Sequence, residues 1–176
     1  MYIAIGTNNK ILFLNKMISE YKKTDTFKIL YIINDASLKY KDIIPDDCWH
    51  EPYMSEQELT NEFNNGVRMY GYLDKKELIA VIGIQKIKEV ILIRHAYTLT
   101  CQQGKGYGGT LLEYLLNKNK NFRLLVGTWK NADWAIRFYE KFGFILHSED
   151  ETNFLLKKYW KITSKQIKNS VVLERY

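Results

Sequence analysis

A chain of 176 residues that is 46% hydrophobic and 14% aromatic, with only 2 prolines, can bury a core without a disulfide or a metal, which excludes a disordered chain. Its formal charge of +6 comes from lysines interleaved with Asp and Glu, dense only near residues 157–168, so nucleic acid is not the expected partner while a small polyanion suits the field. Cys48 and Cys101 form neither a disulfide framework nor a metal-ligand spacing, and no apolar run approaches the roughly 18 residues of a membrane span, so a cytoplasmic protein without a membrane partner is expected.

Residues 1–16 read as an N-terminal extension to a single domain spanning 17–176. The stretch 2–5 is β-like, but 17–22 leads directly into the first helix and is the expected first strand. Over 25–40, Phe27, Leu30, Tyr31, Ile33 and Leu38 recur at helical spacing, with Thr24 or Asp25 placed to cap the first turn. Residues 43–54 mix polar and aromatic side chains, as a structured loop would. Ser55 and Glu58 have the spacing of a capping box, opening a second helix that should end at Gly66.

Residues 67–73 and 78–85 flank Asp74, Lys75 and Lys76, a hairpin signal, and 90–98 supplies a third antiparallel strand. Helical periodicity then returns over 106–118 and 133–142, with strands at 122–127 and 143–147. A charged helical stretch at 150–160, a short turn at 164–168 and a strand at 170–174 close the chain. The expected fold is α/β: a mixed, mostly antiparallel sheet flanked by helices.

The densest chemical signal is Gln103-Gly104-Lys105-Gly106-Tyr107-Gly108-Gly109-Thr110, which follows an apolar strand and opens a helix. Residues without Cβ let the backbone approach a phosphate, and the free N–H groups of a helix start form an anion site reinforced by the helix dipole. Lys105 adds a point charge. The Walker ending Gly-Lys-Ser/Thr is missing, and the preceding strand belongs to a meander and does not open a βαβ unit, so neither a P-loop nor a dinucleotide fingerprint fits.

Gln103, Gly106 and Gly108 match the Gln/Arg-x-x-Gly-x-Gly/Ala pyrophosphate loop of the GNAT N-acetyltransferases, which this chain resembles. About thirty residues on, Ala135-Ile136-Arg137-Phe138-Tyr139-Glu140-Lys141-Phe142-Gly143-Phe144 is similar to that family's A-x-x-F-Y-E-K-x-G-F segment. One departure stands out: many members have Asn where this chain has Ala132, and Asn131 lies one place earlier.

The resemblance implies a sheet splayed in the middle, with acyl-CoA wedged between strands 90–98 and 122–127. Backbone groups of Tyr97, Thr98 and Leu99 would pair with the pantetheine, Gln103, Gly104, Lys105, Gly106, Tyr107, Gly108 and Gly109 would hold the pyrophosphate, and Phe138 would touch the cofactor. Tyr139 stands at the position often assigned as the acid that protonates the departing thiolate. His95 is a candidate base because imidazole titrates near neutral pH, and Glu51 or His50 could serve directly or through water.

Trp49, Tyr53, Trp129 and Trp134 could wall an acceptor pocket. Cys101 has no readable activating partner. The implied activity is transfer of an acyl group, expected to be acetyl, from acetyl-CoA to a small-molecule or peptide amine by direct attack, with no metal and with a homodimer left open. A non-catalytic acyl-CoA-binding module is the alternative.

Overall fold

The computed structural model describes residues 17–176; the extension proposed for 1–16, with its β-like stretch, lies outside them. Strand β1 (Ile18–Tyr21) is followed by helix α1 (Thr26–Ser37), helix α2 (Glu56–Asn64) and the meander β2 (Arg68–Asp74), β3 (Glu77–Ile87) and β4 (Val90–Thr98). Then come α3 (Tyr107–Lys118), β5 (Arg123–Trp129), α4 (Asp133–Glu140), the two-residue β6 (Ile145–Leu146), α5 (Glu149–Tyr159), α6 (Ser164–Lys168) and β7 (Ser170–Arg175).

The strands form one seven-stranded sheet in the order β1-β2-β3-β4-β5-β7-β6. Every pairing is antiparallel except β4 with β5. The closing strand β7 inserts between β5 and β6, which puts the short β6 at the edge.

Alternation along the strands sends side chains to two faces. Tyr70, Tyr72, Ile82, Ile91 and Ile93 meet Leu111, Leu112, Leu115 and Leu116 of α3 and Tyr139 of α4. Each of those four leucines is buried, a contribution of about 1.5–3 kcal/mol apiece. On the other face Met69 and Val81 meet α1 and α2, while Val90, Leu92, Leu125 and Val172 meet Leu155, Leu156 and Tyr159 of α5.

Helix α1 corrects the face read from its sequence. Its buried apolar residues are Ile29, Ile32, Ile33 and Ala36, at i, i+3, i+4 and i+7, whereas Phe27, Tyr31 and Leu38 are 77%, 68% and 57% exposed. The helix is apolar on two sides, and the compact β-branched side is the one that meets the sheet. Asp25 precedes it without a side-chain cap, its carboxylate accepting from the Lys22 N–H instead.

The capping box of α2 is present, Ser55 accepting from the Glu58 N–H and Glu58 from that of Ser55. The hairpin turn is tighter than expected: Asp74 pairs with Glu77, and Lys75 and Lys76 both adopt positive φ, the geometry of a two-residue primed turn. No helix among the described residues is long and apolar enough to cross a membrane.

Candidate active site

The parallel pairing of β4 with β5 stops at Ile93 and Val126, although both strands run on to Thr98 and Trp129. Beyond that point β4 follows β3 and β5 follows β7, so the sheet parts. A bulge accompanies the parting. Gly83 faces Arg94 and Val81 faces Tyr97, which leaves Ile82 opposite both His95 and Ala96. His95 carries the bulge at φ 49, and the extra residue leaves backbone polar groups outside the ladder, next to the split.

A cleft of about 620 Å³ fills the split. Strands β4 and β5 contribute Ile93, His95, Ala96, Tyr97, Thr98, Val126, Gly127 and Thr128. Gln103, Gly104, Gly106, Tyr107, Gly108 and Gly109 come from the loop and first turn of α3. Helix α4 adds Trp134, Ala135, Arg137, Phe138, Tyr139 and Lys141, and the end of the first helical segment adds Ala36, Lys39 and Tyr40. The fully charged residues of this lining are Lys39, Arg137 and Lys141, all cationic, and no carboxylate is among them.

The glycine loop is built for close approach. Gly106 caps α3 at φ 88, a conformation costly for any residue with a Cβ, and so turns the first-turn N–H groups outward. A Cβ on Gly108 would lie 2.8 Å from Thr98 Oγ1, so only glycine lets α3 start against β4. Gln103 Nε2 donates to the Thr98 carbonyl at 3.2 Å and ties loop to strand. An anionic group with a long linear arm fits this combination of bare N–H groups, three cations and a narrow split.

Tyr139 lies at the inner end, 6% exposed, its phenol pushed well above its ordinary value by burial and then by the nearby Tyr40. Burial, with Tyr53 adding to it, likewise pushes Tyr40 up to about 12. Tyr97 rises for the same reason, with Tyr53, Tyr40 and Tyr139 all contributing. The tyrosines around the split are therefore neutral phenols near neutral pH.

His95 Nε2 lies 2.8 Å from Glu62 Oε2, a carboxylate shared with Arg94 Nη2 at 2.8 Å. Burial pushes the Glu62 carboxyl up, but His95 and Arg94 outweigh it and hold the group below its usual range. Nε2 donating to Glu62 leaves Nδ1 as the proton acceptor.

Of the anticipated residues, the cleft brings together Tyr97, Thr98, Gln103, Gly104, Gly106, Tyr107, Gly108, Gly109, Phe138, Tyr139 and His95. Lys105 is outside its lining, with Nζ on Gln102 Oε1 at 2.8 Å. Leu99 is also outside, its N–H donating to Ile79 and its carbonyl accepting from Gln102.

Glu51 is exposed, bonded to Lys41 Nζ at 2.8 Å and Trp49 Nε1 at 3.3 Å, and those bonds hold its carboxyl below the usual range. His50 is exposed as well, with Nδ1 2.7 Å from the Pro52 carbonyl. The loop reaches the site only through Tyr53, which stacks on Tyr40 and meets Tyr97 edge-on. Trp134 faces Tyr40 and carries Lys39 Nζ 4.7 Å above its ring.

Ala132 is buried at the start of α4, so no side chain reaches the cleft from the place where Asn is common; Asn131 is exposed. Cys101 is exposed in the turn before the glycine loop. Sequence reasoning missed Lys39, Tyr40, Glu62, Arg137 and Lys141 as site residues. Only the last two carried a signal, one turn apart on the outer face of a helix whose inner face was already assigned. Among the described residues no three His, Cys, Asp or Glu side chains converge as a metal-ligand set.

A family model for the acetyltransferase (GNAT) domain matches residues 33–155, more than half of the chain. No curated protein sequence matches it significantly. Among solved structures, the PaiA N-acetyltransferase of Thermoplasma acidophilum, in complex with coenzyme A, superposes with a TM-score of 0.66 at 18% identity, over 90% of this chain and 96% of that one. The ribosomal-protein-S18-alanine N-acetyltransferase of Escherichia coli gives 0.64 at 16% identity, over 89% and 90%. An acetyltransferase of Bacillus subtilis in complex with CoA gives 0.60 at 19% identity, over 90% and 96%. At these identities the superpositions establish the fold; with the family match across the glycine loop, the parted strands and α4, the chain belongs to the GNAT acetyltransferase family.

Proposed function

We propose that this protein transfers an acetyl group from acetyl-CoA to a primary amine by direct attack in a ternary complex. The observation that carries the reading is the acid-free, cationic cleft, with glycine-loop N–H groups along it and a buried phenol at its inner end. Similar folds bound to CoA in Thermoplasma acidophilum and Bacillus subtilis support the choice of donor.

The N–H groups of α3's first turn, with Arg137, Lys141 and Lys39, would hold the phosphates. The backbone of Tyr97 and Thr98 would hold the arm. Acetyl-CoA, when bound, supplies the activated acyl group. His95, oriented by Glu62, takes the proton from the incoming ammonium. Backbone N–H groups left outside the ladder by the bulge would be available to the acyl oxygen where charge develops. Tyr139 keeps its proton at neutral pH and gives it to the departing sulfur. Glu51, outside the cleft lining and bonded to Lys41, is the weaker base candidate.

Free-thiol release from acetyl-CoA, measured against amino acids, polyamines, aminoglycosides, arylalkylamines and peptides with mass analysis of the product, tests the reading. Amine-dependent release with an acetylated product is expected. CoA binding without turnover across the panel would leave a non-catalytic acyl-CoA-binding module.

A further inference from the structure

A second cavity, of about 170 Å³, meets the main cleft at the split: Tyr40, Tyr97, Gly127 and Thr128 line both. None of the glycine-loop or α4 residues that suit phosphates reaches it. Its remaining lining comes from beyond the split, chiefly Trp129, Leu156, Trp160, Ile162 and Gln166. An anionic cofactor in the main cleft therefore leaves this cavity as a separate approach to the same point.

The chemistry of the second cavity is narrow. Among the described residues, its lining holds no Asp, Glu, Lys, Arg or His. The lysines next to lining residues in the chain, Lys130, Lys161 and Lys165, stay out of the lining, the ammonium of Lys130 on the Lys168 carbonyl and that of Lys165 paired to Asp47. A polyamine or aminoglycoside would have to leave several ammonium groups dehydrated with no carboxylate in the lining to receive them, which disfavours each group in turn. A single ammonium against indole and phenol faces is favourable. In size the cavity compares with one of about 150 Å³ that holds a benzene ring.

We infer that the second cavity is the acceptor subsite and selects a monoamine on a compact, uncharged aromatic or branched aliphatic body, excluding polycationic amines. The inference rests on the acetyltransferase reading, but the cavity's preference can be read without turnover.

Phenethylamine and spermidine are titrated by calorimetry and tryptophan emission into the protein alone and into the protein saturated with CoA. Phenethylamine should bind at least tenfold more tightly than spermidine and change the emission of Trp129 and Trp160. Trp160→Ala should weaken phenethylamine at least tenfold while CoA affinity holds. Ile162→Glu, at a half-buried position that tolerates a polar side chain better, should narrow or reverse the preference. Spermidine binding as tightly as phenethylamine, no amine binding in either state, or a preference unmoved in whichever variant folds would overturn the assignment. Failure of CoA to bind, with the amine preference intact, would instead remove the acetyltransferase reading.

Discussion

Tyr139 is held by packing as much as by chemistry: its ring meets Phe138 and Phe144 edge-on at 5.2 and 5.5 Å between centroids, and its hydroxyl lies near Tyr40. Burial, with Tyr40 adding to it, keeps this phenol protonated near neutral pH, so it can donate a proton or a hydrogen bond there but cannot serve as a base. Tyr139→Phe retains the ring and removes the donor. If Tyr139 protonates the leaving sulfur, kcat should fall about 10²–10⁴-fold with CoA affinity near the parent value. A loss under about threefold, with chemistry shown to limit a single turnover, would return the residue to the core. Glu62 shows why the base was only half legible: His95 stood out by type, but its partner lies 33 residues away on another element, and no local spacing connects them.

At the scale of elements, α3 and its glycine loop were readable because the constraint is local: a helix start that must expose N–H groups needs residues without Cβ. The reason for Gly108 in particular is tertiary, since the atom it makes room for belongs to Thr98 on β4. Gly108→Val should push α3 off β4 and weaken CoA binding at least tenfold with the far-ultraviolet dichroism unchanged. Parent-like affinity in calorimetry would move the phosphate site elsewhere. Helix α1 is the opposite case. Its existence followed from periodicity, but two faces were apolar, and only the sheet decided that Ile29, Ile32, Ile33 and Ala36 turn inward.

For the molecule as a whole, the strand that completes the sheet also carries a buried ion cluster. Glu174 on β7 is 4% exposed and receives Arg123 Nε and Nη2 from β5, both at 2.6 Å, while His147 Nε2 lies 2.7 Å away. Burial pushes the Glu174 carboxyl up, but the bonds from Arg123, Tyr176 and His147 outweigh it and bring it to about 2. An unfolded glutamate titrates near 4.3, so the folded state binds the proton less readily. The resulting stability is present above about pH 4.5 and is lost as pH falls towards 2. Denaturant unfolding followed from pH 6 to pH 2 should show this loss, and Glu174→Gln should be less stable at pH 6 and flatter below pH 4.5. A variant with the parent's slope in that window would assign the acid sensitivity to other carboxylates.

The sequence by itself determined what depends on near neighbours: the order of the main helices and strands, the capping box of α2 and the glycine turn that opens α3. Each follows from periodicity, backbone freedom or capping within a few residues. Tertiary structure decided what depends on distant residues sharing one place. It inserted β7 between β5 and β6, ended the β4–β5 pairing at Ile93 and Val126, and gave His95 its carboxylate. It also left Glu51 on the surface with Lys41 and enclosed an uncharged aromatic cavity between Tyr40, Trp129 and Trp160. The physical reason is that register, burial and charge pairing across a sheet are set by which surfaces meet, and that information is spread over the whole chain.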